Sequence, residues 1–139
     1  MPARRAAVLR KGMGAGDYSM IALALCVGCA SASAPAAKWR KVTLGPSERS
    51  ILDGPPGTVG MMSGLVVLKP GEAMHRHSTE SNEEEIVFLA GRATLGIGAE
   101  TVGATAGEIV YIPPRTPHEI RNASGSDELR YVWVAAPVR

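Results

Sequence analysis

After residue 45 the chain carries no stretch with a helical hydrophobic period, and nothing else in it limits the fold as strongly. Short apolar runs alternate instead with Gly and Pro. GLVVLKPG at 64–71 is an apolar run stopped by Pro-Gly, and Glu85–Leu89 is closed by Gly91. Arg92–Ile97 and Glu100–Val102 flank Gly98-Ala99, a spacing that suits a tight hairpin. Glu108–Ile112 ends at Pro113-Pro114, His118–Asn122 follows Pro117, and Leu129–Val134 is apolar enough to be buried on both faces. About eight short strands at regular spacing predict a sandwich or barrel. A length of 139 residues supports one domain, and 45% apolar content can fill a modest core. KWRKVTL, residues 38–44, is expected to form a first edge strand, and the Gly- and Pro-rich stretch 45–58 a loop. The barrel is thus expected over 45–139, behind a linker and edge strand over 30–44.

Residues 1–29 read as a leader. Arg4, Arg5, Arg10 and Lys11 precede the apolar run MIALALCVG at 20–28, and ASASAPAA follows. A basic start, a short apolar run and a small-residue exit are the marks of a secretory signal. The run falls short of the roughly 20 apolar residues that span a bilayer. The expectation is therefore export, to the periplasm or to a membrane-anchored state. A start codon placed too early would instead leave a cytoplasmic protein. Cys26 and Cys29 show CxxC spacing, but no second pair exists and their surroundings are apolar, which argues against zinc or redox use. LCVGC resembles a bacterial lipobox with Cys29 as the lipidated residue, although Leu25 stands one place too far away. Membrane contact is expected only through such an anchor. Cleavage at either type of site leaves no structural disulfide in the domain.

The formal charge of +2 misleads, because the leader supplies it. From Ala30 onward there are 11 Lys and Arg against 12 Asp and Glu, a net of −1. The domain has no basic patch with interleaved aromatics, so nucleic acid is not an expected partner.

Two stretches carry chemistry. In HRHSTESNEEEIVFLAG (75–91), His75 and His77 stand two apart, a spacing that places both imidazoles on one face of a regular strand. Two neutral imidazoles on one face can bind a borderline divalent metal. Period-two alternation puts Glu84, Ile86 and Phe88 on one face and Glu85, Val87 and Leu89 on the other. At most one of Glu84 and Glu85 can therefore join the histidines. In GEIVYIPPRTPHEIRN (107–122), a Gly turn leads through a strand and a Pro-rich corner to His118, the third of only three histidines. Three imidazoles and one carboxylate would leave two positions open on a six-coordinate ion.

These stretches resemble the paired motifs of the cupin superfamily, in its small single-domain bacterial type. The family's first motif runs Gly, five residues, His-x-His, three or four residues, Glu, six residues, Gly. Here Glu84 is followed by six residues and Gly91, which selects Glu84 over Glu85. Two departures stand out: six residues separate His77 from Glu84, and Gly71 lies only four positions before His75. The second motif runs Gly, five residues, Pro-x-Gly, two residues, His, three residues, Asn. Gly107, Pro113, His118 and Asn122 match it, with Arg115 in place of the inner Gly. The resemblance covers residues 60–136. It implies an all-β fold, a double-stranded β-helix or jelly-roll barrel, with His75, His77, Glu84 and His118 binding a divalent transition metal at the barrel mouth. The family uses iron, manganese, nickel, zinc or copper. A dioxygenase-like site favours Fe or Mn, while intrinsic affinity favours Ni, Cu and Zn. The resemblance also makes a homodimer an expectation, since pairing would cover sheet edges.

Other residues enter as candidates for a substrate pocket. Tyr131 and Trp133 share a strand face, and with Tyr111 they offer stacking surfaces with polar handles. Core packing is the plainer role for each. Arg115 sits at the corner near the mouth, where a guanidinium could pair with a carboxylate. Arg76 and Arg121 are expected to point away from the metal, and Arg92 is a weaker candidate. Met61, Met62 and Met74 read as core or pocket wall, and Asn122-Ala123-Ser124 matches a glycosylation sequon. The expected function is a metal-dependent enzyme, dioxygenase- or isomerase-like, acting on a small oxygenated molecule. The alternative is a non-catalytic barrel that binds a sugar or organic acid. No dedicated acid or base stands out beyond the metal set.

Overall fold

The computed structural model describes residues 38–138. The expected leader, with Cys26 and Cys29, and the Ala/Ser/Pro linker at 30–37 lie outside the described residues. Nine strands form among those described: β1 (Arg49–Asp53), β2 (Met62–Leu68), β3 (Ala73–His77), β4 (Asn82–Ala90), β5 (Arg92–Ile97), β6 (Glu100–Thr105), β7 (Ile109–Ile112), β8 (His118–Asn122) and β9 (Leu129–Pro137). They build a five-stranded sheet, ordered β1-β2-β9-β4-β7, and a four-stranded sheet, ordered β3-β8-β5-β6. Every pairing is antiparallel. The two-sheet, all-β architecture agrees with the sandwich or barrel expected from strand spacing and with the jelly roll that the family resemblance implies.

The core lies between the sheets and follows strand alternation. On β4, Glu84, Ile86 and Phe88 are buried while Glu83, Glu85 and Leu89 are exposed. Ile86 and Phe88 pack with Leu95, Ile112, Ile120, Leu129 and Tyr131. The Phe88 and Tyr131 rings tilt at 49° with centroids 5.7 Å apart, within the range favoured by aromatic pairs. Burying the large side chains stabilises the fold by about 1.5–3 kcal/mol each. β9 sits between β2 and β4, so its outward residues Val132 and Val134 are half-buried as well.

The first strand differs from expectation. Residues 38–44 form no strand; β1 arises at Arg49–Asp53, inside the stretch read as a loop. The chain just after that segment is held by a side chain rather than a ladder. Arg130 donates from Nη2 to the Gly45 carbonyl at 2.7 Å and from Nη1 to the Pro46 carbonyl at 2.9 Å. β3, Ala73–His77, is a strand beyond those read from the sequence, and it carries an irregularity that decides the site.

Candidate metal centre

β8 delivers His118 in the regular way. Its burial alternates strictly, with His118, Ile120 and Asn122 inward and Glu119 and Arg121 outward. Asn122, the last residue of the second motif, anchors this strand. Its side-chain amide donates to the carbonyls of Leu68 (3.0 Å) and Asp127 (2.8 Å), and its Oδ1 accepts from the Ser124 amide. That buried amide nitrogen has both hydrogens engaged, so the sequon is not presented as a glycosylation acceptor. Arg115, in the place of the family's inner Gly, adopts the Gly-like left-handed backbone with φ of 58°.

β3 delivers its histidine irregularly. Met74 pairs with Ile120, but His77 rather than Arg76 pairs with His118, so β3 holds one extra residue between these points. A bulge of this kind re-aims side chains, and such irregularities concentrate near active sites. Met74 and His77 both line the cavity between the sheets, although three positions separate them. His75 is turned out and exposed, and Arg76 donates outward to the Gly98 carbonyl at 2.6 Å. The expectation that both histidines of the HxH share the inner face fails here, because the alternation it rests on is interrupted between them.

The structure thus brings together His77, Glu84 and His118, whose ligand atoms lie within 4.8 Å of one another. His118 is fully buried and Glu84 is 5% exposed, whereas His77 stands at the rim. The His77 and His118 rings are 4.4 Å apart. Both imidazoles are oriented by backbone. Nδ1 of His118 lies 3.0 Å from the Thr116 carbonyl, and Nδ1 of His77 lies 2.8 Å from the His75 carbonyl. A carbonyl only accepts, so in the neutral imidazole each Nδ1 carries the proton and each Nε2 offers its lone pair. Nε2 of His118 and Oε2 of Glu84 are 3.3 Å apart yet not aligned as a hydrogen bond, and both lack any such partner. Two buried polar atoms left unsatisfied side by side are costly unless something fills the gap. The nearby Glu84 carboxylate raises the His118 pKa, against the opposing effect of burial. A cation among these atoms would satisfy both, and the donor set of two imidazoles and a carboxylate suits a divalent transition metal.

The cavity measures about 350 Å³. Its polar end holds His77, Glu84, Thr79 and Asn82; Val66, Ile120, Tyr131 and Trp133 supply the larger apolar wall. Tyr131 and Trp133 both line this cavity. The Trp133 indole lies over Gly64, where a Cβ would meet Nε1 at 2.6 Å, so that glycine makes room for the ring. Tyr111 does not join the cavity. It is exposed on the outer face and donates to Glu83 at 3.1 Å, which raises its pKa. Arg115 is also elsewhere, in an outer depression with Ser81 and Val138. Both were pocket candidates by sequence position, and strand alternation and the corner geometry turn them away. Met62 and Met74 line the cavity, while Met61 is exposed.

Thr79 was not singled out from the sequence, although the signal was there. Five residues counted on from Gly71 lead to His77, not His75. Thr79 then stands at the second histidine's place, four residues lead to Glu84, and six more lead to Gly91. In this register both spacing departures disappear. Gly91 itself is required: its φ is 84°, and a Cβ would lie 2.5 Å from the Glu128 carbonyl oxygen.

Comparison with known proteins agrees with this architecture. Residues 64–135 match the family model described as "Cupin domain". A protein named "Polyketide synthase CurC" from Streptomyces cyaneus is 33% identical over 86 residues, covering 60% of this chain and 55% of that one. An uncharacterized protein of Methanocaldococcus jannaschii is 39% identical over 49 residues, covering 35% of this chain and 38% of its own. The chain therefore spans about half or less of the curated relatives it matches. Among solved structures, a cupin protein from Bacteroides fragilis superposes with a TM-score of 0.64 at 21% identity, covering 74% of this chain and 87% of that one. A Cupin 2 conserved barrel domain protein from Salinispora arenicola gives 0.58 at 20% identity, covering 74% and 91%. The family match over more than half the chain, on a two-sheet barrel with both motifs at its mouth, makes this protein a member of the cupin superfamily.

Proposed function

We propose that this protein is a metal-dependent cupin that binds, and acts on, a small oxygenated molecule with a largely apolar body. The observation that carries the reading is the pair of buried, unpartnered atoms, Glu84 Oε2 and His118 Nε2, at the polar end of an apolar cavity. A bound divalent metal would supply Lewis acidity and a template for oxygen ligands. Around it, His77 and His118 would act as neutral ligands held by their backbone carbonyls, and Glu84 would offset part of the charge. Val66, Ile120 and Trp133 would hold the apolar body of the substrate and exclude water. Iron or manganese is favoured for dioxygenase- or isomerase-like chemistry. The likeness to a protein named as a polyketide synthase supports an oxygen-bearing, mainly carbon-framed substrate.

A second reading, capture without turnover, is favoured by one feature. Apart from His77, Glu84 and His118, the titratable group lining this cavity is Tyr131, whose hydroxyl is driven well above its ordinary range by burial. It stays protonated near neutral pH and so does not serve as a base there. We further propose export through the leader, anchoring through Cys29, and pairing of two copies. Cell fractionation with lipid labelling of a Cys29→Ala variant tests the first two, and sedimentation tests the third.

Elemental analysis of the full chain, purified without chelator, tests the metal reading. About one iron, manganese or nickel per chain, lost in His118→Ala, is the expected result. Protein that holds no metal and takes none up on titration contradicts it. Oxygen uptake or isomerisation that chelation abolishes would then favour the enzyme. A ligand that raises Tm without being consumed would favour the binding barrel.

A further inference from the structure

We infer that the centre is a three-ligand site of His77, Glu84 and His118, in which Thr79 takes the place of a fourth ligand and His75 takes no part. The inference rests on the metal reading above and fixes its coordination. Three observations meet on it. The bulge in β3 sets His77, not Arg76, opposite His118 and turns His75 to solvent. His75 contributes only its backbone carbonyl, which holds the His77 ring and does not depend on the His75 side chain. Thr79 lines the same cavity as His77 and Glu84, at the sequence position where the motif calls for the second histidine.

Thr79 is held firmly there. Its hydroxyl donates to the Asn82 carbonyl at 2.9 Å, and the Asn82 side-chain amide donates back to the Thr79 carbonyl at 3.0 Å. The hydroxyl hydrogen is therefore spent, leaving a neutral oxygen that accepts but competes poorly with imidazole for a borderline metal. The chemical consequence is an additional open position. Two histidines and one carboxylate on a six-coordinate ion leave three sites free, the arrangement associated with non-haem Fe(II) oxygenases. With such an ion bound, a substrate could chelate through two oxygens and still leave a position for water or O₂. A four-ligand centre would allow only the first of these.

The test uses the full chain loaded with Cu(II), which ranks highest in intrinsic affinity and whose EPR hyperfine pattern counts bound nitrogens. Wild type should bind one Cu(II) with two imidazole nitrogens, and His75→Ala should match it in stoichiometry, affinity and spectrum. Thr79→His should add a third nitrogen and tighten binding by at least about tenfold, a change of the size ligand-shell substitutions produce. Thr79→Ala should keep two nitrogens and unchanged affinity, which covers the case in which the bulkier variant fails to fold. Loss of a nitrogen in His75→Ala, or loss of binding in Thr79→Ala, overturns this assignment while the metal reading stands. Wild type that takes up no Cu(II), Co(II) or Fe(II) overturns both.

Discussion

The two motifs of this barrel reach the same cavity by different means. The second follows regular strand geometry, and every other residue of β8 faces inward, so His118 lies where alternation puts it. The first depends on a bulge, and its inward residues in β3, Met74 and His77, are three apart. A regular strand makes side-chain direction readable from spacing alone. One inserted residue reverses that direction for everything beyond it. The same HxH spacing that points to two inward imidazoles therefore yields one, with the other in solvent.

The largest expected contrast between the motifs is in metal affinity. His118→Ala should weaken binding by at least about 100-fold, since it removes a ligand rather than an outer partner. His75→Ala should leave isothermal titration curves unchanged. Equal losses in the two variants would mean that the bulge is absent in solution.

The paired glycines provide the next contrast, read by chemical denaturation. Gly91→Ala forces a Cβ to within 2.5 Å of the Glu128 carbonyl oxygen at a φ of 84° and should cost about 3 kcal/mol. Gly107→Ala has the same left-handed backbone, with φ of 89°, but open space around it. It should cost only about 1 kcal/mol. Similar costs would show that backbone strain alone governs both turns.

A third contrast is in pH dependence. Glu84 raises the pKa of His118 above its ordinary 6.5 in the metal-free fold. Protonated His118 therefore stabilises the folded state fully below pH 6.5, and this contribution is lost as pH rises through the raised value. The Tm advantage of metal-free wild type over His118→Asn should shrink on moving from acid to alkaline buffer. Metal requires the neutral imidazole, so the loaded protein should show the opposite trend, gaining as pH rises. A pH-independent advantage would mean that Glu84 and His118 do not interact.

The smallest effect belongs to the corner of the second motif. Arg115→Gly restores a residue suited to φ of 58° and relieves strain of about 1 kcal/mol, partly offset by the greater freedom of Gly in the unfolded chain. Because Arg115 lies outside the cavity, ligand binding should not change. A binding loss would return Arg115 to the substrate site.

Much of the site could be read from the sequence wherever strands are regular. The choice of Glu84 over Glu85 agrees with the one buried and the other exposed on β4. The common face of Tyr131 and Trp133 follows from the same alternation. Spacing allows Tyr111 either face of its strand, and only packing says which is inner; Tyr111 lies on the exposed one. The edge strand expected at 38–44 failed for a related reason. Its apolar and β-branched residues suit a strand, but the edge of β2 is taken by β1, and the chain between the two segments is held by Arg130 at the Gly45 and Pro46 carbonyls.

The sequence by itself determined the all-β class, the turn positions, both motifs and the chemical kinds of ligand, because these depend on local periodicity and backbone preference. Only the tertiary structure decided between the two registers the first motif allows, and so which imidazoles meet. That choice rests on a single unpaired residue between Met74 and His77, whose position is set by how β3 registers against β8 across the sheet. Register is a property of two strands together; the spacing from Gly71 to His77 is compatible with this choice, but spacing from His77 back to His75 is as easily read, and only the pairing of β3 with β8 selects between them.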